Sequence, residues 1–332
     1  MHGWIILDKP LGLGSTQGVS AVKRALRQGS YGKAKVGHGG TLDPLATGVL
    51  PIAVGEATKL AGRMLDSNKV YDFTVRFGVQ TDTLDTEGAV ISESSVRPTL
   101  ADLVAVLTRF TGPIAQVPPK YSALKVDGAR AYDLARAGED VVLASRDVVV
   151  HGIKLLPGTG RGIAGEAGGG GAEPQGTSSM EPPLHQPAAG PPPRAGEELD
   201  EATFSVHVSK GTYIRSLARD IAAALGTVGH VTMLRRTKAG PFTLPQAISL
   251  DFLDETAKAR TLEQILLPLR AGLDDIPALP LDPDQAGALR QGRVLVGIAE
   301  DDGQYFALLE NTPVALVEVI HGEARVVRGF NL

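Results

Sequence analysis

Alternating apolar and polar residues along KVYDFTVRFG, which begins at Lys69, predict a β-strand. Side chains two residues apart lie on the same face of a strand, so Tyr71, Phe73, Val75 and Phe77 should share one face. We expect Tyr71, at the start of the strand, to lie at the edge of a sheet. The alternative is that Tyr71 is an ordinary aromatic residue of the core.

A later segment, SKGTYIRSLARDIAAALG, has the three- and four-residue apolar spacing of an amphipathic helix. Its predicted apolar stripe comprises Ile214, Leu217, Ile221 and Leu225. Arg215 lies in the first turn beside this stripe, close enough to a buried interior to pair with a carboxylate. The alternative is a surface arginine.

Two strand-like runs flank a segment rich in Gly and Pro. VVVHGIKLL ends near Leu156 and ATFSVHV begins at Ala202, which predicts a hairpin. Residues 157–200 between them contain 11 Gly, 8 Pro and no aromatic residue, so they cannot bury enough apolar surface to offset the entropy of ordering. We expect this segment to be a disordered insertion.

The sequence predicts a second boundary near residue 274. Pro277, Pro280 and Pro283 should break any helix there. Short β-like runs follow at Val294–Ile298, Tyr305–Leu309, Val314–Ile320 and Ala324–Val327. We therefore expect a main domain at residues 1–273 and a small all-β domain at residues 274–332. Helical and strand patterns mix in the main domain without regular βαβ alternation, which favours an α+β class.

Composition excludes several kinds of chemistry. The 332 residues include no cysteine, which rules out disulfides, thiolate nucleophiles and Cys-based zinc sites. No dinucleotide fingerprint or phosphate loop occurs. Asp82, Asp85 and Glu87 lack the ligand spacing of a calcium loop, so we interpret TDTLDTEG as a turn. No apolar run approaches the roughly 20 residues of a spanning helix, and we expect a cytoplasmic protein with no membrane association.

The net charge of −4 hides a segregation of charge along the chain. Residues 9–42 contain six basic residues and no acidic one: Lys9, Lys23, Arg24, Arg27, Lys33 and Lys35. Residues 205–240 contain six more against the single acid Asp220: Lys210, Arg215, Arg219, Arg235, Arg236 and Lys238. This polarity suits a polyanionic ligand on one face, although solvated helix faces would give the same pattern.

The segment GHGGTLDPLATGVLP, from Gly37 to Pro51, isolates Asp43 in a Gly-rich stretch with His38 nearby. Asp43 followed by Pro44 could simply start a helix, with Gly48 ending it. Closely spaced glycines are entropically costly unless the backbone turns sharply or approaches a ligand. We therefore favour a functional loop that presents the carboxylate. Tyr71, if exposed, could stack on a nucleic-acid base.

Six motifs follow one another along the chain: Asp8-Lys9-Pro10 with Gly12, GHGGTLDPLATGVLPIAVGEATK (Gly37 to Lys59), Lys69-Val70-Tyr71, YSALKVDGARAYDLARAG (Tyr121 to Gly138), Lys210-Gly211-Thr212-Tyr213-Ile214-Arg215, and Gly229-His230-Val231 with Leu234-Arg235-Arg236. Together they resemble the motifs of the bacterial tRNA pseudouridine-55 synthase family. The resemblance spans most of the chain, and six motifs in order are far more specific than any one of them.

The resemblance implies a fold and an activity. The fold would be the pseudouridine synthase catalytic domain, with a mixed, largely antiparallel sheet, followed by a C-terminal PUA-like RNA-binding domain. The activity would be isomerisation of uridine to pseudouridine at position 55, in the T-loop of tRNA. It would need no cofactor, metal or guide RNA. The tRNA T-loop and stem would be the partner, and we expect a monomer with no obligatory protein partner.

The resemblance also implies a role for individual residues. Asp43 would be the catalytic aspartate, Tyr71 would stack on the target uracil, and Arg215 would pair with Asp43. The remaining assignments concern substrate binding: Tyr213 and Leu234 would line the uracil pocket, His38 would fill the space of the flipped nucleotide, and Lys9 with Pro10 would support the active-site loop.

The residues leave the chemical route open. Asp43 could attack the sugar C1′ or remove a sugar proton to give a glycal. A non-catalytic tRNA-binding protein and an RNA-guided relative of the family are the alternative functions. The motifs also depart from the family pattern, since Gly39 stands where Thr is common and Gly14 where Ser is common. We expect Gly39 to loosen the loop around His38 and so to weaken discrimination among tRNAs.

Overall fold

The computed structural model describes residues 1–122, 124–126, 129–137, 143–157 and 197–332. Nearly all of the segment predicted to be disordered, residues 157–200, lies outside the described residues. Parts of the motif from Tyr121 to Gly138 also lie outside them.

The described residues form seven α-helices and eighteen strands, besides short 3-10 turns. The helices are α1 (Ser15–Gln28), α2 (Ala61–Asp66), α3 (Leu100–Leu107), α4 (Ala131–Arg136), α5 (Ile214–Ala224), α6 (Leu250–Ala259) and α7 (Pro283–Arg290). None of them is long and apolar enough to cross a membrane.

The first thirteen strands precede α6. They are β1 (Gly3–Lys9), β2 (Val36–His38), β3 (Thr47–Val54), β4 (Lys69–Phe77), β5 (Val79–Thr81), β6 (Val90–Glu93), β7 (Gly112–Gln116), β8 (Lys125–Val126), β9 (Ala129–Arg130), β10 (Arg146–Leu155), β11 (Glu201–Val208), β12 (Gly229–Ala239) and β13 (Phe242–Thr243). The last five are β14 (Ala278–Pro280), β15 (Leu295–Val296), β16 (Gly303–Leu309), β17 (Thr312–Ile320) and β18 (Glu323–Gly329).

The chain divides into two compact units. Unit 1 comprises residues 1–71 and 235–332, and unit 2 comprises residues 72–234. Each boundary falls within a strand, so β4 and β12 contribute residues to both units. This division differs from the domains that the sequence predicted at residues 1–273 and 274–332, and those domains stay a prediction.

Unit 1 contains a mixed sheet in the order β1, β3, β12, β4. β1 pairs with β3 antiparallel, with Gly3 opposite Val54. β3 pairs with β12 in parallel, with Arg236 opposite Gly48. This register places the end of the Gly37–Pro51 segment beside the arginines of β12.

Unit 2 continues with the strand order β12, β4, β11, β10, β7. β10 and β11 pair antiparallel, with Leu155 opposite Phe204, which confirms the predicted hairpin. In β4, Phe73, Val75 and Phe77 are buried on one face, as the alternation predicted. Tyr71 lies near the start of β4, as expected, and the presentation of its ring at the edge of the sheet stays a prediction.

The apolar stripe of α5 is confirmed, since Ile214, Leu217 and Ile221 are buried. Leu225 follows the last helical residue and is half-buried. Arg215 is the second residue of the helix and is itself buried.

The C-terminal strands form a separate five-stranded sheet in unit 1, in the order β14, β16, β17, β18, β15. The four predicted β-like runs are therefore confirmed. The expectation that proline would break any helix here is wrong at Pro283, which is the first residue of α7. Asp282 caps that helix by accepting a hydrogen bond from the Gln285 N–H at 2.7 Å, and proline is well tolerated at a first helical position because its missing N–H has no intrahelical partner.

Candidate active site

Asp43 lies in a tight turn. The Ala46 N–H donates to the Asp43 carbonyl at 3.0 Å, and the chain enters β3 at the next residue. The alternative in which Asp43 starts a helix is therefore wrong, because a proline at this position fits a turn equally well. The Asp43 side chain is half-buried. We call residues 39–46 the aspartate loop.

The aspartate loop is tied to the start of α1. The Leu42 N–H donates to Ser15 Oγ at 2.8 Å, and Ser15 Oγ donates back to the Leu42 carbonyl at 2.9 Å. This reciprocal pair fixes the backbone immediately before Asp43.

Lys9 holds the loop on the other side of Asp43. Its ammonium group is fully buried and donates to the carbonyls of Leu13 at 2.6 Å, Pro10 at 3.0 Å and Pro44 at 3.1 Å. A buried ammonium is costly unless it is hydrogen-bonded, so these carbonyls must converge on it. Lys9 thus lies where the resemblance expected support for the loop, while its role in substrate binding stays a prediction.

Arg236 anchors the beginning of the loop. Its guanidinium donates to the carbonyls of Gly40 at 3.2 Å, Thr41 at 3.3 Å and Val49 at 2.8 Å. Gly48, opposite Arg236 in β3, has a φ of +98°, and a Cβ there would lie 2.2 Å from the Arg236 carbonyl oxygen. Only glycine allows the two backbones to approach this closely.

These contacts correct the assignment of Arg235 and Arg236 to an exposed basic face. Arg236 is 1% exposed and binds protein carbonyls. Arg235 forms an ion pair with Asp8 at 2.7 Å. Successive residues of a strand point to opposite faces, so two adjacent arginines could not both have faced the same surface.

His38 precedes the aspartate loop at the end of β2. It is half-buried, and its Nδ1 is buried with no hydrogen-bond partner among the described residues. Burial lowers the pKa of His38 below its ordinary value of 6.5, and the positive charge of Arg236 lowers this pKa further. His38 is therefore neutral at pH 7.

Tyr71 is the third residue of β4 and is half-buried. Lys69 begins the strand, and its buried ammonium donates to the carbonyls of Met64 at 2.9 Å, Leu65 at 2.6 Å and Ser67 at 2.5 Å. Lys69 thereby joins the end of α2 to the strand that carries Tyr71.

Arg215 binds a carboxylate in unit 2, that of Asp85. Its Nη1 lies 3.3 Å from Asp85 Oδ2, and both side chains are less than a tenth exposed. The guanidinium also donates to the carbonyls of Thr83 at 2.8 Å and Tyr121 at 2.9 Å. Asp85 accepts further hydrogen bonds from Thr83 Oγ1 at 2.5 Å and from the Glu87 N–H at 3.0 Å. Arg215 is thus fixed in orientation by three groups on two segments, the turn at residues 83–85 and Tyr121.

Hydrogen bonds between Gln116 and the backbone of Tyr213 fix the position of this residue. Gln116 accepts from the Tyr213 N–H at 2.8 Å and donates to its carbonyl at 3.2 Å. The guanidinium of Arg146 lies 4.7 Å from the centre of the Tyr213 ring, a cation–π arrangement, and also donates to the Gly211 carbonyl. Leu234 lies in β12 and is 7% exposed.

The expected site residues belong to both units. Lys9, His38, Asp43 and Tyr71 belong to unit 1. Tyr213, Arg215 and Leu234 belong to unit 2. The pairing of Asp43 with Arg215 stays a prediction, as do the individual roles. Within the described ranges, no cluster of three or more His, Cys, Asp or Glu side chains could hold a metal ion.

Sequence reasoning missed two residues that position the site. It took Asp85 for part of a plain turn, and it did not consider Gln116. An acidic residue between Leu84 and Thr86 in a short hairpin has no sequence signal for burial. Its pairing with an arginine 130 residues away could be found only in three dimensions.

Comparisons with known proteins identify the family. Residues 27–164 match the N-terminal domain of the TruB family pseudouridylate synthases, and residues 215–274 match the tRNA pseudouridylate synthase B C-terminal domain. The tRNA pseudouridine synthase B of Novosphingobium aromaticivorans is 61% identical over all of this chain and 98% of its own length. The chain belongs to the TruB family of pseudouridylate synthases.

Other TruB relatives are similar over the whole chain. The tRNA pseudouridine synthase B of Zymomonas mobilis is 54% identical over all of this chain and 96% of its own length. That of Rhodospirillum rubrum is 43% identical over all of this chain and 97% of its own length.

Solved structures share the TruB fold. A chain of an H/ACA RNP bound to a substrate RNA containing 2′-deoxyuridine matches with a TM-score of 0.66 and 21% identity, covering 99% of this chain and 85% of that one. A chain of a Cbf5-Nop10-Gar1 complex matches with a TM-score of 0.65 and 23% identity, and the match covers 99% of this chain and 84% of that one. The expected architecture, a pseudouridine synthase fold with a mixed sheet and a C-terminal β domain, is confirmed.

The Asp85–Arg215 pair predicts a loss of both stability and activity in the TruB chain when Asp85 is replaced by Asn. Removing one charge of a buried pair leaves the other uncompensated, which should lower the unfolding free energy by about 3 kcal/mol. Displacement of Arg215 should slow turnover by about 100-fold, because misplacement of a group by 1 Å has effects of this size. Urea denaturation and single-turnover rates measure the two effects.

Glu87→Gln is the matched control, since Glu87 is exposed in the same turn and contributes only its N–H. It should keep wild-type values. Wild-type turnover in Asp85→Asn would contradict a positioning role for Asp85.

We expect the unfolding free energy to depend on pH through His38. Its pKa is lowered in the folded protein, so the unfolded chain binds more protons than the native chain below about pH 6.5. The unfolding free energy should therefore rise with pH up to about pH 6.5, and this contribution should disappear in His38→Gln. Urea denaturation between about pH 5 and pH 7 measures the slope. An unchanged slope in His38→Gln would contradict the prediction.

Proposed function

We propose that this chain isomerises uridine to pseudouridine at position 55 in the T-loop of tRNA, with Asp43 as the catalytic carboxylate. The supporting observation is the turn at Asp43, which two buried cations hold on either side, in a chain 61% identical to a tRNA pseudouridine synthase B. A rigid loop that presents one half-buried carboxylate suits a reaction that needs a single group held against a sugar.

The reaction exchanges one glycosidic bond for another. The bond from C1′ to N1 breaks, the uracil rotates, and a bond from C1′ to C5 forms while the C5 proton leaves and N1 gains a proton. Nothing is oxidised or reduced. Asp43 would act either by attack on C1′ or by removal of a sugar proton, and both routes need it ionised.

The remaining roles are the ones that the family resemblance implies. Arg215, oriented by Asp85, would supply the positive charge that favours ionised Asp43. The ring of Tyr71 would stack on the flipped uracil, with Tyr213 and Leu234 beside it. The target would have to leave its stack, because its reacting atoms are inaccessible in an ordered loop, and His38 would fill the vacated space.

Binding of tRNA is supported by exposed basic residues on and after α1, namely Lys23, Arg27, Lys33 and Lys35. Their phosphate contacts would make affinity fall with salt. We propose action as a monomer in the cytoplasm, without a protein partner or guide RNA. The H/ACA RNP and the Cbf5-Nop10-Gar1 complex are assemblies that each contain a chain with this fold.

Tritium release from tRNA transcripts labelled at uracil C5 tests the proposal. The intact chain should release tritium from a transcript with uridine 55, and Asp43→Asn should not. A transcript with cytidine at position 55 should also give no release. Binding of tRNA without release by the intact chain would contradict the proposal and favour a non-catalytic tRNA-binding protein.

A further inference from the structure

Gly39, the first residue of the aspartate loop, lies against Met64 of α2. A Cβ at position 39 would lie 2.5 Å from Met64 Cβ and 3.0 Å from Met64 Cγ. The Gly39 φ is not in the left-handed region, so space alone requires glycine here. The Gly39 N–H donates to the Pro51 carbonyl at 2.8 Å, which fixes its distance from β3. The side chain that the loop lacks at residue 39 is thus replaced by Met64.

Met64 is itself fixed by residues at and just before the start of β4. It is 3% exposed, and its carbonyl accepts hydrogen bonds from Lys69 Nζ and Ser67 Oγ, both at 2.9 Å. Its sulfur lies 3.3 Å from the position that a Cβ of Gly240 would take. Met64 therefore has little freedom to move away from the loop.

The residues that precede Met64, residues 56–63, contact the C-terminal segment, residues 274–332. Lys59 Nζ donates to the Gly329 carbonyl at 2.8 Å, and the Asn331 N–H donates to Glu56 Oε2 at 2.7 Å. Arg63, next to Met64, forms an ion pair with Asp275 at 3.0 Å. Residues 56–63, which directly precede Met64, thus contact the C-terminal segment.

Apolar packing joins the same parts. Leu60 and Met64 belong to one buried cluster with Phe306, Leu316 and Phe330 of the C-terminal segment. Phe306 and Phe330 pack edge to face with ring centres 6.0 Å apart. Close-packed interiors transmit displacements, so a shift of these rings would reach Met64.

We propose that Met64 is a positioning residue, which supports the aspartate loop at Gly39 and is braced from behind by the C-terminal segment. The inference rests on the proposed function, because its main readout is turnover. The C-terminal segment then contributes to catalysis through α2, and a change at the Gly39–Met64 contact should alter kcat while leaving tRNA affinity nearly unchanged.

A set of double variants tests this contact. Gly39→Ala should lower kcat by about 10- to 100-fold, while the KM for tRNA stays within about 3-fold of wild type, because Asp43 is displaced but the RNA surface is not. Adding Met64→Gly removes both atoms that the new methyl group at position 39 would strike, and should restore kcat by about 5-fold relative to Gly39→Ala. Adding Met64→Ala should restore nothing, because alanine keeps the Cβ at 2.5 Å.

Gly62→Ala is the control, since the same substitution in α2 meets open space and should leave kcat unchanged. Hydrogen exchange of the peptide covering residues 39–46 gives a second readout. It should be faster in Gly39→Ala and slower again with Met64→Gly.

The inference would be overturned if Gly39→Ala kept the kcat and the hydrogen exchange of the wild type. It would also be overturned if the double variant with Met64→Gly had the same kcat and exchange as Gly39→Ala alone. Met64→Ala alone, which opens a cavity without a clash, serves if Gly39→Ala does not fold, and should also quicken exchange in the loop. Wild-type exchange in that variant would overturn the inference. Absence of turnover in the wild-type chain would contradict the proposed function, and the exchange measurement would still test the contact.

Discussion

The site in unit 1 depends on two buried cations that bind backbone carbonyls around Asp43. Lys9 and Arg236 are both almost completely buried, and each donates to carbonyls of the aspartate loop. A desolvated cation stabilises a structure only where hydrogen-bond acceptors surround it. The loop therefore has one arrangement that satisfies both cations, and in that arrangement the turn carries the Asp43 carboxylate.

Much of the remaining structure of unit 1 serves this arrangement. The parallel pairing of β3 and β12 brings Arg236 beside Gly48, and glycine permits the close approach. Met64 of α2 packs against the loop at Gly39, and Lys69 connects Met64 to the strand that bears Tyr71. In unit 2, Arg215 follows the same logic, with Asp85 and two carbonyls defining its orientation. Precise placement of charged groups is what a cofactor-free isomerisation would require.

Periodic elements could be predicted from sequence because their signal is local. The two-residue alternation of β4 and the helical spacing of α5 each specify a buried face without reference to the rest of the chain. The turn at Asp43 could not be separated from a helix start, since Asp-Pro suits both. The inward direction of Arg236 depends on strand register, and Asp85 is buried only because a distant helix supplies Arg215. The expectation that Gly39 loosens the loop stays a prediction, while Met64 fills the space beside Gly39, a contact that no local pattern encodes.

The decisive measurement is the single-turnover rate of tritium release by Arg236→Gln, compared with its tRNA affinity. Glutamine is polar but cannot donate to the carbonyls of Gly40, Thr41 and Val49 at the same time. We expect a rate lower by about 100-fold, with the Kd for tRNA within about 3-fold of wild type, because a misplaced carboxylate affects chemistry and a buried arginine touches no phosphate. A wild-type rate, or a loss confined to tRNA affinity, would contradict the positioning of Asp43 by Arg236.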